Sequence, residues 1–252
     1  MSRLLEILDS FNLDRPVISP EWFMRHLGVS RATIFRDLSK LADAGMVERL
    51  DDRGYALGPR IVQMDRQIRL GDPLLKAAAD LPEKLAQDSG GGVLVCRLHQ
   101  DTVLCVLQVS PPSGHFAVSY ERGRAMPLYR GATSKVILAH LGARRLASLV
   151  EHHQEELTEA GLPLTGVELH AFWEPVRKNG HLVARGEVDP QVEGMAVALM
   201  SGKRLIGSLS VVLPAKGCSS LREAKTLQLL KRTARRIEAR LESAVRVKMV
   251  GD

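Results

Sequence analysis

The chain has 252 residues, of which 45% are hydrophobic and 4% aromatic, and its formal net charge is +6. This length and composition suffice for one large domain or two modest domains with packed cores. Such a low aromatic content argues against a binder of single-stranded nucleic acid, because these proteins stack bases on exposed aromatic rings. The three cysteines form no C-x-x-C pair, which disfavours disulfide and zinc sites and favours a reducing compartment.

The N-terminus, Met1 to Glu6, becomes acidic too early for a signal peptide, and no apolar run approaches the ~20 residues that span a bilayer. We therefore expect a cytoplasmic protein. The positive charge is unevenly distributed, since residues 1–70 hold 11 Lys/Arg and 10 Asp/Glu whereas residues 216–252 hold 10 and 4. We expect the C-terminal excess to lie on the exposed side of a helix.

Three short helices are predicted at the N-terminal end. The first covers about Arg3 to Phe11, and the second begins at Ser19-Pro20-Glu21, which combines an N-cap, a proline in the first position and an acid in the first turn. A turn at Gly28 leads to the third helix, which Ser30 caps and which runs to Ala44. Because a tight turn joins the last two helices, the pattern predicts a helix-turn-helix.

The third helix has two different faces. Ile34, Leu38 and Leu41 recur at helical spacing and form an apolar stripe, while the opposite face is small, hydroxyl-bearing and basic. Such a face suits the major groove of DNA, although an ordinary exposed helix face has the same composition. The predicted DNA-contacting residues of this region are Ser30, Arg31, Ala32, Thr33, Arg36, Ser39 and Lys40.

A two-stranded hairpin is predicted after the third helix, with strands at Met46 to Leu50 and at Tyr55 to Leu57, which makes this domain a winged helix. Arg53 at its tip is either a DNA contact or a solvated turn residue. A short linking helix follows and ends at Gly71-Asp72-Pro73. The predicted boundaries are therefore a winged helix-turn-helix domain over 1–60, a linker helix over 61–72 and a second domain over 73–252.

The second domain mixes helix and strand patterns, which indicates an α+β fold. Helices are predicted over Leu74–Gln87, Ser134–Leu141, Arg144–Glu159, Val167–Lys178 and Ser219–Val247. Strands are predicted over Val93–Leu98, Thr102–Val109, Phe116–Tyr120, Leu182–Ala184, Met195–Met200 and Leu205–Val212.

One motif runs from Gly123 to Ala139 and joins a Pro-Leu strand end, a small-residue loop and a helix that begins near Lys135. A second motif runs from Asn179 through Gly186-Glu187 to Gly194. With these motifs the chain resembles the isocitrate-lyase-regulator (IclR) family of bacterial transcription factors over nearly its whole length. The helix-turn-helix alone equally resembles regulators of the deoxyribose-operon type.

The family resemblance implies a winged helix-turn-helix, a linker helix and a GAF-like effector domain built as an antiparallel sheet with flanking helices. It also implies dimers or tetramers that bind double-stranded operator DNA and respond to a small organic or aromatic acid. The chain departs from the family pattern at Ser134, where many members have Gly, and at Ala184, where an acid is common. A Cys near Gly194 and a Pro at Ala198-Leu199 are also missing, and these departures concern the identity of the ligand.

The candidate effector site begins at Gly131-Ala132-Thr133-Ser134, directly before a predicted helix. Free N–H groups at a helix start bind carboxylates, and the two hydroxyls add donors, although Ser134 as a plain N-cap is the simpler structural explanation. Glu187 is a candidate for orienting a polar ligand, and Lys135 is either an anion partner or a structural residue. Candidates for an apolar wall, each equally compatible with ordinary core packing, are Val118, Met126, Leu128 and Met195.

Catalysis has little support in the sequence, which contains no G-x-S-x-G elbow, no phosphate-cradling glycine loop and no H-E-x-x-H. His152-His153 indicates a solvated helix face. We expect no catalytic residue, metal or cofactor, and predict a ligand-responsive transcriptional regulator that binds a palindromic operator as a dimer. Three alternatives remain at this point: a deoxyribose-operon-type regulator, a small-metabolite enzyme or carrier tethered to a winged helix, and a winged helix that binds protein.

Overall fold

The computed structural model describes residues 2–111, 119–216 and 218–250. The chain divides into two compact units, Met1–Asp72 and Pro73–Asp252, and each has a hydrophobic core of its own. Within the described residues, no helix combines the length and the apolar character needed to cross a bilayer.

The N-terminal unit contains the predicted helices and hairpin in the predicted order. Its elements are α1 (Arg3–Asp9), α2 (Pro20–Leu27), α3 (Arg31–Asp43), β1 (Val47–Leu50), a 3-10 turn (Asp51–Arg53), β2 (Gly54–Leu57) and α4 (Pro59–Gly71). Strands β1 and β2 pair in antiparallel register. The helix-turn-helix and the hairpin that follows it are therefore both present.

Local capping explains where the helices of this unit start and stop. The Ser19 hydroxyl accepts the Trp22 N–H at 3.3 Å, and the Ser30 hydroxyl accepts the Thr33 N–H at 3.3 Å. Gly28 ends α2 with φ of 64°, a left-handed conformation that costs glycine little. These short-range interactions were readable from the sequence because both partners lie within one turn of each other.

An ion pair that the sequence did not indicate joins α1 to α3. Asp37 lies on the buried side of α3, next to the apolar stripe, and Arg3 Nε lies 2.5 Å from Asp37 Oδ2. A buried carboxylate is costly unless a cation or hydrogen-bond donors compensate its lost hydration. Arg3 therefore allows an acid to occupy a core position of the helix-turn-helix.

The C-terminal unit contains one six-stranded antiparallel sheet in the order β5-β4-β3-β8-β7-β6. Its strands are β3 (Gly92–His99), β4 (Thr102–Val109), β5 (Ala125–Pro127), β6 (Leu182–Arg185), β7 (Val192–Ser201) and β8 (Arg204–Pro214). Its helices are α5 (Pro73–Ala78), α6 (Leu81–Ser89), α7 (Gly131–Ala139), α8 (Ala143–His152), α9 (Gln154–Glu159), α10 (Gly166–Phe172), α11 (Glu174–Asn179) and α12 (Ser220–Val250). The predicted α+β class, with a helix-turn-helix followed by an antiparallel sheet and flanking helices, is confirmed.

Three long helices of the prediction are interrupted in the structure. The segment Leu74–Gln87 divides into α5 and α6, and Val167–Lys178 divides into α10 and α11; in both cases a proline, Pro82 or Pro175, lies in the first turn of the second helix. Proline lacks an N–H and its ring clashes with the carbonyl four residues earlier, so it starts a helix well and continues one badly. The segment Arg144–Glu159 divides at His153. The predicted strand Phe116–Tyr120 is not formed at Ser119 and Tyr120, and its other residues lie outside the described ranges.

The two faces of the sheet bury different cores. Helices α7, α8 and α10 contribute to one core, and helices α5, α6 and α12 contribute to the other. Successive residues of a strand point to opposite faces, so Gly194 and Ala196 of β7 face α7 while Met195 and Val197 face α12. This alternation decides which side chains of β7 can reach the first turn of α7.

We expect Arg3→Met to lower the free energy of unfolding of the N-terminal unit by roughly 1–2 kcal/mol, because Asp37 stays buried without its guanidinium. The loss is below that of a fully buried pair since Arg3 is 38% exposed. Urea unfolding followed by Trp22 fluorescence, in a Trp173→Phe background, measures it. The double variant Arg3→Met/Asp37→Leu should recover most of the loss, and an unchanged single variant would contradict this role of the pair.

Candidate DNA-binding helix and effector pocket

Helix α3 presents the predicted face to solvent. Ile34, Leu38 and Leu41 are buried in the core of the N-terminal unit. The opposite side is exposed at Ser30, Arg31, Ala32, Arg36, Ser39 and Lys40 and half-buried at Thr33. Because the exposed residues are small or basic, α3 can approach a groove closely and present cations to it.

The first turn of α3 is held by its own side chains. Ser30 Oγ lies 3.0 Å from Thr33 Oγ1 and also accepts the Thr33 N–H, so both hydroxyls take part in the helix cap. The guanidinium of Arg31 lies over the Phe35 ring, 5.3 Å from its centroid. These contacts restrict the start of α3, whereas Arg36 and Lys40 lie one turn apart on its open face.

Arg53 is exposed in the 3-10 turn that joins β1 to β2. The hairpin behind it is anchored, because Ile18 and Tyr55 exchange backbone hydrogen bonds of 2.8 and 2.9 Å. Gly54 has φ of 119°, and a Cβ at this position would collide with the backbone of Ile18. Only glycine fits at position 54, directly after Arg53, and it therefore fixes the backbone conformation at the tip of the wing.

The C-terminal unit contains a small cavity, of about 30 Å³, at the start of α7. A cavity needs about 10–15 Å³ of such volume for one water, so this space suits water and is too small for an aromatic acid. Its lining comes from the first turn of α7, from strands β6, β7 and β8, from the β6–β7 loop and, through Tyr120, from the segment before β5. The residues are Tyr120, Gly131, Ala132, Thr133, Ala184, Glu187, Val188, Asp189, Val192, Gly194 and Val212.

A carboxylate of the chain itself occupies the start of α7. The Gly131 N–H donates to Glu187 Oε2 at 3.0 Å, and Lys135 Nζ lies 2.7 Å from the same oxygen. An anion is favoured there, because the first N–H groups of a helix lack intrahelical partners and the helix dipole is positive at this end. Gly131 is the first residue of α7, so residues 131–134 form its first turn, and the predicted loop before the helix is wrong here.

The hydroxyls of this turn already have partners in the protein. Ser134 is fully buried and does not cap the helix; its Oγ lies 2.6 Å from the Tyr120 hydroxyl, which also donates to the Arg130 carbonyl at 3.0 Å. Burial raises the pKa of Tyr120, so this phenol stays neutral. Thr133 Oγ1 lies 2.9 Å from Ser210 Oγ. The two hydroxyls predicted to meet a ligand thus form hydrogen bonds that hold α7 to its neighbours.

The predicted effector residues do not all meet at the cavity. Gly131, Ala132, Thr133 and Glu187 line it, and Ser134 lies directly behind them. Met126 and Leu128 are buried in the core beside α7 and α8 and do not line it. Met195 is on the opposite face of the sheet, so its assignment to the pocket wall is wrong because of the strand alternation. Val118 lies outside the described residues.

Sequence reasoning found Glu187 but missed its neighbours Val188 and Asp189 and also Tyr120, which line the same cavity. Asp189 of the β6–β7 loop accepts the Ser119 N–H at 2.8 Å and the Ser119 hydroxyl at 2.5 Å. Tyr120, from the segment before β5, and Val188, from the distant β6–β7 loop, both lie close to Gly131. The motif around Gly186-Glu187 points to Glu187, but no linear pattern assigns Val188 or Asp189 to the start of α7.

Among the described residues, no three His, Cys, Asp or Glu side chains come close enough to hold a metal ion. His152 is exposed, and its Nδ1 lies 2.7 Å from the Ser148 carbonyl of its own helix. His152 therefore lies on the solvated helix face that the sequence predicts. His153 does not: it is half-buried at the break between α8 and α9, 3.6 Å from Asp101 Oδ2 and 3.4 Å from Glu156 Oε1.

Comparisons with known proteins identify the class of the chain. Residues 71–239 match the family model of the bacterial transcriptional regulator IclR C-terminal domain, and residues 14–53 match the DeoR-like helix-turn-helix domain. The DNA-binding transcriptional repressor YiaJ of Escherichia coli (strain K12) is 25% identical over 255 residues, which covers 96% of this chain and 86% of that protein. The DeoR-like match is thus confined to the helix-turn-helix, while the larger unit matches the IclR model.

Solved structures share the fold of both units. An IclR transcriptional regulator from Alicyclobacillus acidocaldarius has a TM-score of 0.78 at 19% identity, covering 95% of this chain and 96% of that chain. An IclR homolog from Microbacterium hydrocarbonoxydans, solved in complex with 4-hydroxybenzoate, also has a TM-score of 0.78, at 20% identity, covering 96% and 98%. The fold thus agrees with the IclR family model and with the curated repressor relative, which confirm the predicted class of transcriptional regulator rather than enzyme.

We expect Gly131→Ala to destabilise the C-terminal unit by roughly 1–3 kcal/mol, because an L-residue is strained in its left-handed conformation, with φ of 75°. The new Cβ would also lie 2.9 Å from Val188 Cγ2. Chemical denaturation followed by circular dichroism measures the loss. Gly142→Ala is the comparison, since Gly142 has φ of −69° and open space around it and should lose only about 0.5–1 kcal/mol as the N-cap of α8. Equal effects of the two substitutions would remove the special role of Gly131.

Proposed function

The chain belongs to the IclR family of bacterial transcriptional regulators, and from this premise we propose that α3 reads operator DNA while the first turn of α7 receives a small organic or aromatic acid. The observation that carries the second part is the anion position at the start of α7, defined by the Gly131 N–H and the Lys135 ammonium. In this proposal, acid binding in the C-terminal unit alters the DNA affinity of the N-terminal unit in the cytoplasm.

The DNA-binding part of the proposal is supported by the exposed face of α3. A helix-turn-helix regulator binds DNA, and its second helix is the one that enters the major groove. Residues 1–70 have nearly balanced charge, so affinity must depend on the direction of a few cations. We assign base or phosphate contacts to Arg36 and Lys40 on the open face of α3 and a phosphate or minor-groove contact to Arg53 at the wing tip. Ser30, Arg31, Ala32, Thr33 and Ser39 complete the proposed contact surface.

The effector part is supported by charge and by a relative. The start of a helix stabilises a carboxylate, and Lys135 adds a full positive charge that is only 15% exposed. The homolog from Microbacterium hydrocarbonoxydans binds 4-hydroxybenzoate, a carboxylate on an aromatic ring. We therefore propose an organic or aromatic acid as effector, with its carboxylate at Gly131 and Lys135 and its body towards Val188, Val192 and Val212.

We further propose that two chains associate through α4. None of the residues of this helix is buried, although Val62 is 69%, Ile68 58% and Leu70 56% exposed. Ile61, Met64 and Ile68 recur at three and four residues, which is the spacing of a two-helix seam. A second copy of α4 is the partner that this spacing fits best, and further contacts between C-terminal units would give tetramers. A two-fold dimer requires a pseudo-palindromic operator.

We expect Arg36→Ala to weaken operator binding by ~1–3 kcal/mol and to relax sequence preference, because a lost base contact removes both affinity and selectivity. Anisotropy titrations on DNA selected from a random pool, over a salt series, measure both effects. Selected sites should be pseudo-palindromic, and affinity should fall steeply with salt. Arg204→Ala removes an exposed arginine of the C-terminal unit and is the control. Equal binding by both variants would exclude Arg36 from the interface.

We expect benzoate or 4-hydroxybenzoate to stabilise the protein against unfolding, by about 2.7 kcal/mol at a hundredfold excess over Kd. Lys135→Met should lose most of this stabilisation because the carboxylate loses its cation. Lys84→Met, which removes an exposed lysine of α6, should keep it. The proposal fails if Lys135→Met responds like the unmodified protein, or if benzamide acts as strongly as benzoate.

A further inference from the structure

The anion position at the start of α7 is already filled by the protein. Glu187 accepts the Gly131 N–H and pairs with Lys135 through the same oxygen, Oε2. These are the two groups that would hold the carboxylate of an acid effector. Binding of such an acid is therefore a competition between two carboxylates for one N–H and one ammonium group.

Both carboxylates cannot share the position. Like charges at such short range disfavour each other, and the low polarity of a mostly apolar cavity strengthens the effect. Asp189 lines the same cavity, where its carboxylate accepts two hydrogen bonds from Ser119. An entering acid would thus meet two negative groups while Glu187 stays in place. The cavity of about 30 Å³ also leaves no room for an acid beside Glu187.

Glu187 is freer to leave this position than the groups that it contacts. Its side chain is 33% exposed, and it belongs to the turn that connects β6 to β7. Lys135 is only 15% exposed and belongs to α7, which packs against β7. Rotation of Glu187 into water restores the hydration of its carboxylate and leaves the Gly131 N–H and Lys135 open to another anion. Val188, whose methyl group lies against Gly131, follows in the same turn.

We propose that Glu187 is a built-in competitor of the effector, so that an acid binds by exchanging its own carboxylate for that of Glu187 and releases the 186–191 turn. This inference rests on the proposed function, because it assumes that an acid binds at the start of α7. The exchange favours anionic acids over their neutral analogues. Because an acid binds only after Glu187 has left, the apparent affinity equals the intrinsic affinity multiplied by the fraction of molecules in which Glu187 has left the position.

Glu187→Gln tests the exchange, since glutamine keeps the shape of the side chain and loses its charge. Calorimetry on the full chain uses benzoate and neutral benzamide as probes. The benzoate Kd should be about tenfold lower in Glu187→Gln, as expected if Glu187 occupies the anion position in about nine-tenths of the unmodified molecules. Benzamide binding should not improve. Glu155→Gln removes an exposed acid of α9 and should bind both probes like the unmodified protein.

The outcomes separate the exchange from the proposed function. Benzoate binding by the unmodified protein with equal or weaker binding by folded Glu187→Gln overturns the exchange and leaves the effector site standing. If folded Glu187→Gln binds none of four acids, namely benzoate, 4-hydroxybenzoate, acetate and pyruvate, the effector site and the exchange both fail.

Hydrogen exchange on the unmodified protein gives a second test that needs no variant. With saturating benzoate, we expect amide exchange in residues 186–191 to become several-fold faster, because Glu187 loses its contacts with Gly131 and Lys135 and the turn is then held mainly by the Asp189–Ser119 hydrogen bonds. Slower exchange in this turn would mean that it closes over the ligand, which overturns the proposed release.

Discussion

The close packing of α7 on strands β6 and β7 is the constraint on which the candidate site of the C-terminal unit depends. The side chains at this contact are small, with Ala132 of α7 facing Ala184, Gly194 and Ala196 of the sheet. Small side chains let a helix approach a sheet closely, and this approach brings the first turn of α7 beside the β6–β7 turn. Ala184 thus has a packing role at a position where an acid is common in the family that the chain resembles. The contact of Glu187 with Gly131 follows from this packing.

Charge and burial then determine the chemistry at that point. The first N–H of α7 and the ammonium of Lys135 create a position that needs an anion, and Glu187 supplies one in this structure. Tyr120 and Ser134 form a buried neutral pair behind it and attach the same turn to the segment around residue 120. The Gly131 N–H, Lys135 and the hydroxyls of Thr133 and Ser134 thus all have partners within the protein.

Most of the fold could be predicted from the sequence, because it depends on interactions between near neighbours. The caps at Ser19 and Ser30, the left-handed glycine at Gly28 and the apolar stripe of α3 all lie within one or two turns of a helix. Interactions between distant segments were missed: Asp37 was not recognised as a buried acid, because its partner Arg3 lies 34 residues away. Helix lengths were overestimated where a proline starts a new helix.

The sequence by itself therefore determined the helix-turn-helix, the exposed composition of α3 and the α+β class, since these depend on local periodicity and capping. The candidate effector site is only partly predictable: the small residues of the first turn of α7 mark it in the sequence, but strand alternation places Met195, a candidate for its apolar wall, on the other face of the sheet. Only the tertiary structure decided that Glu187, Asp189 and Tyr120 meet at Gly131, because strand pairing and the packing of α7 bring together segments that no linear pattern connects.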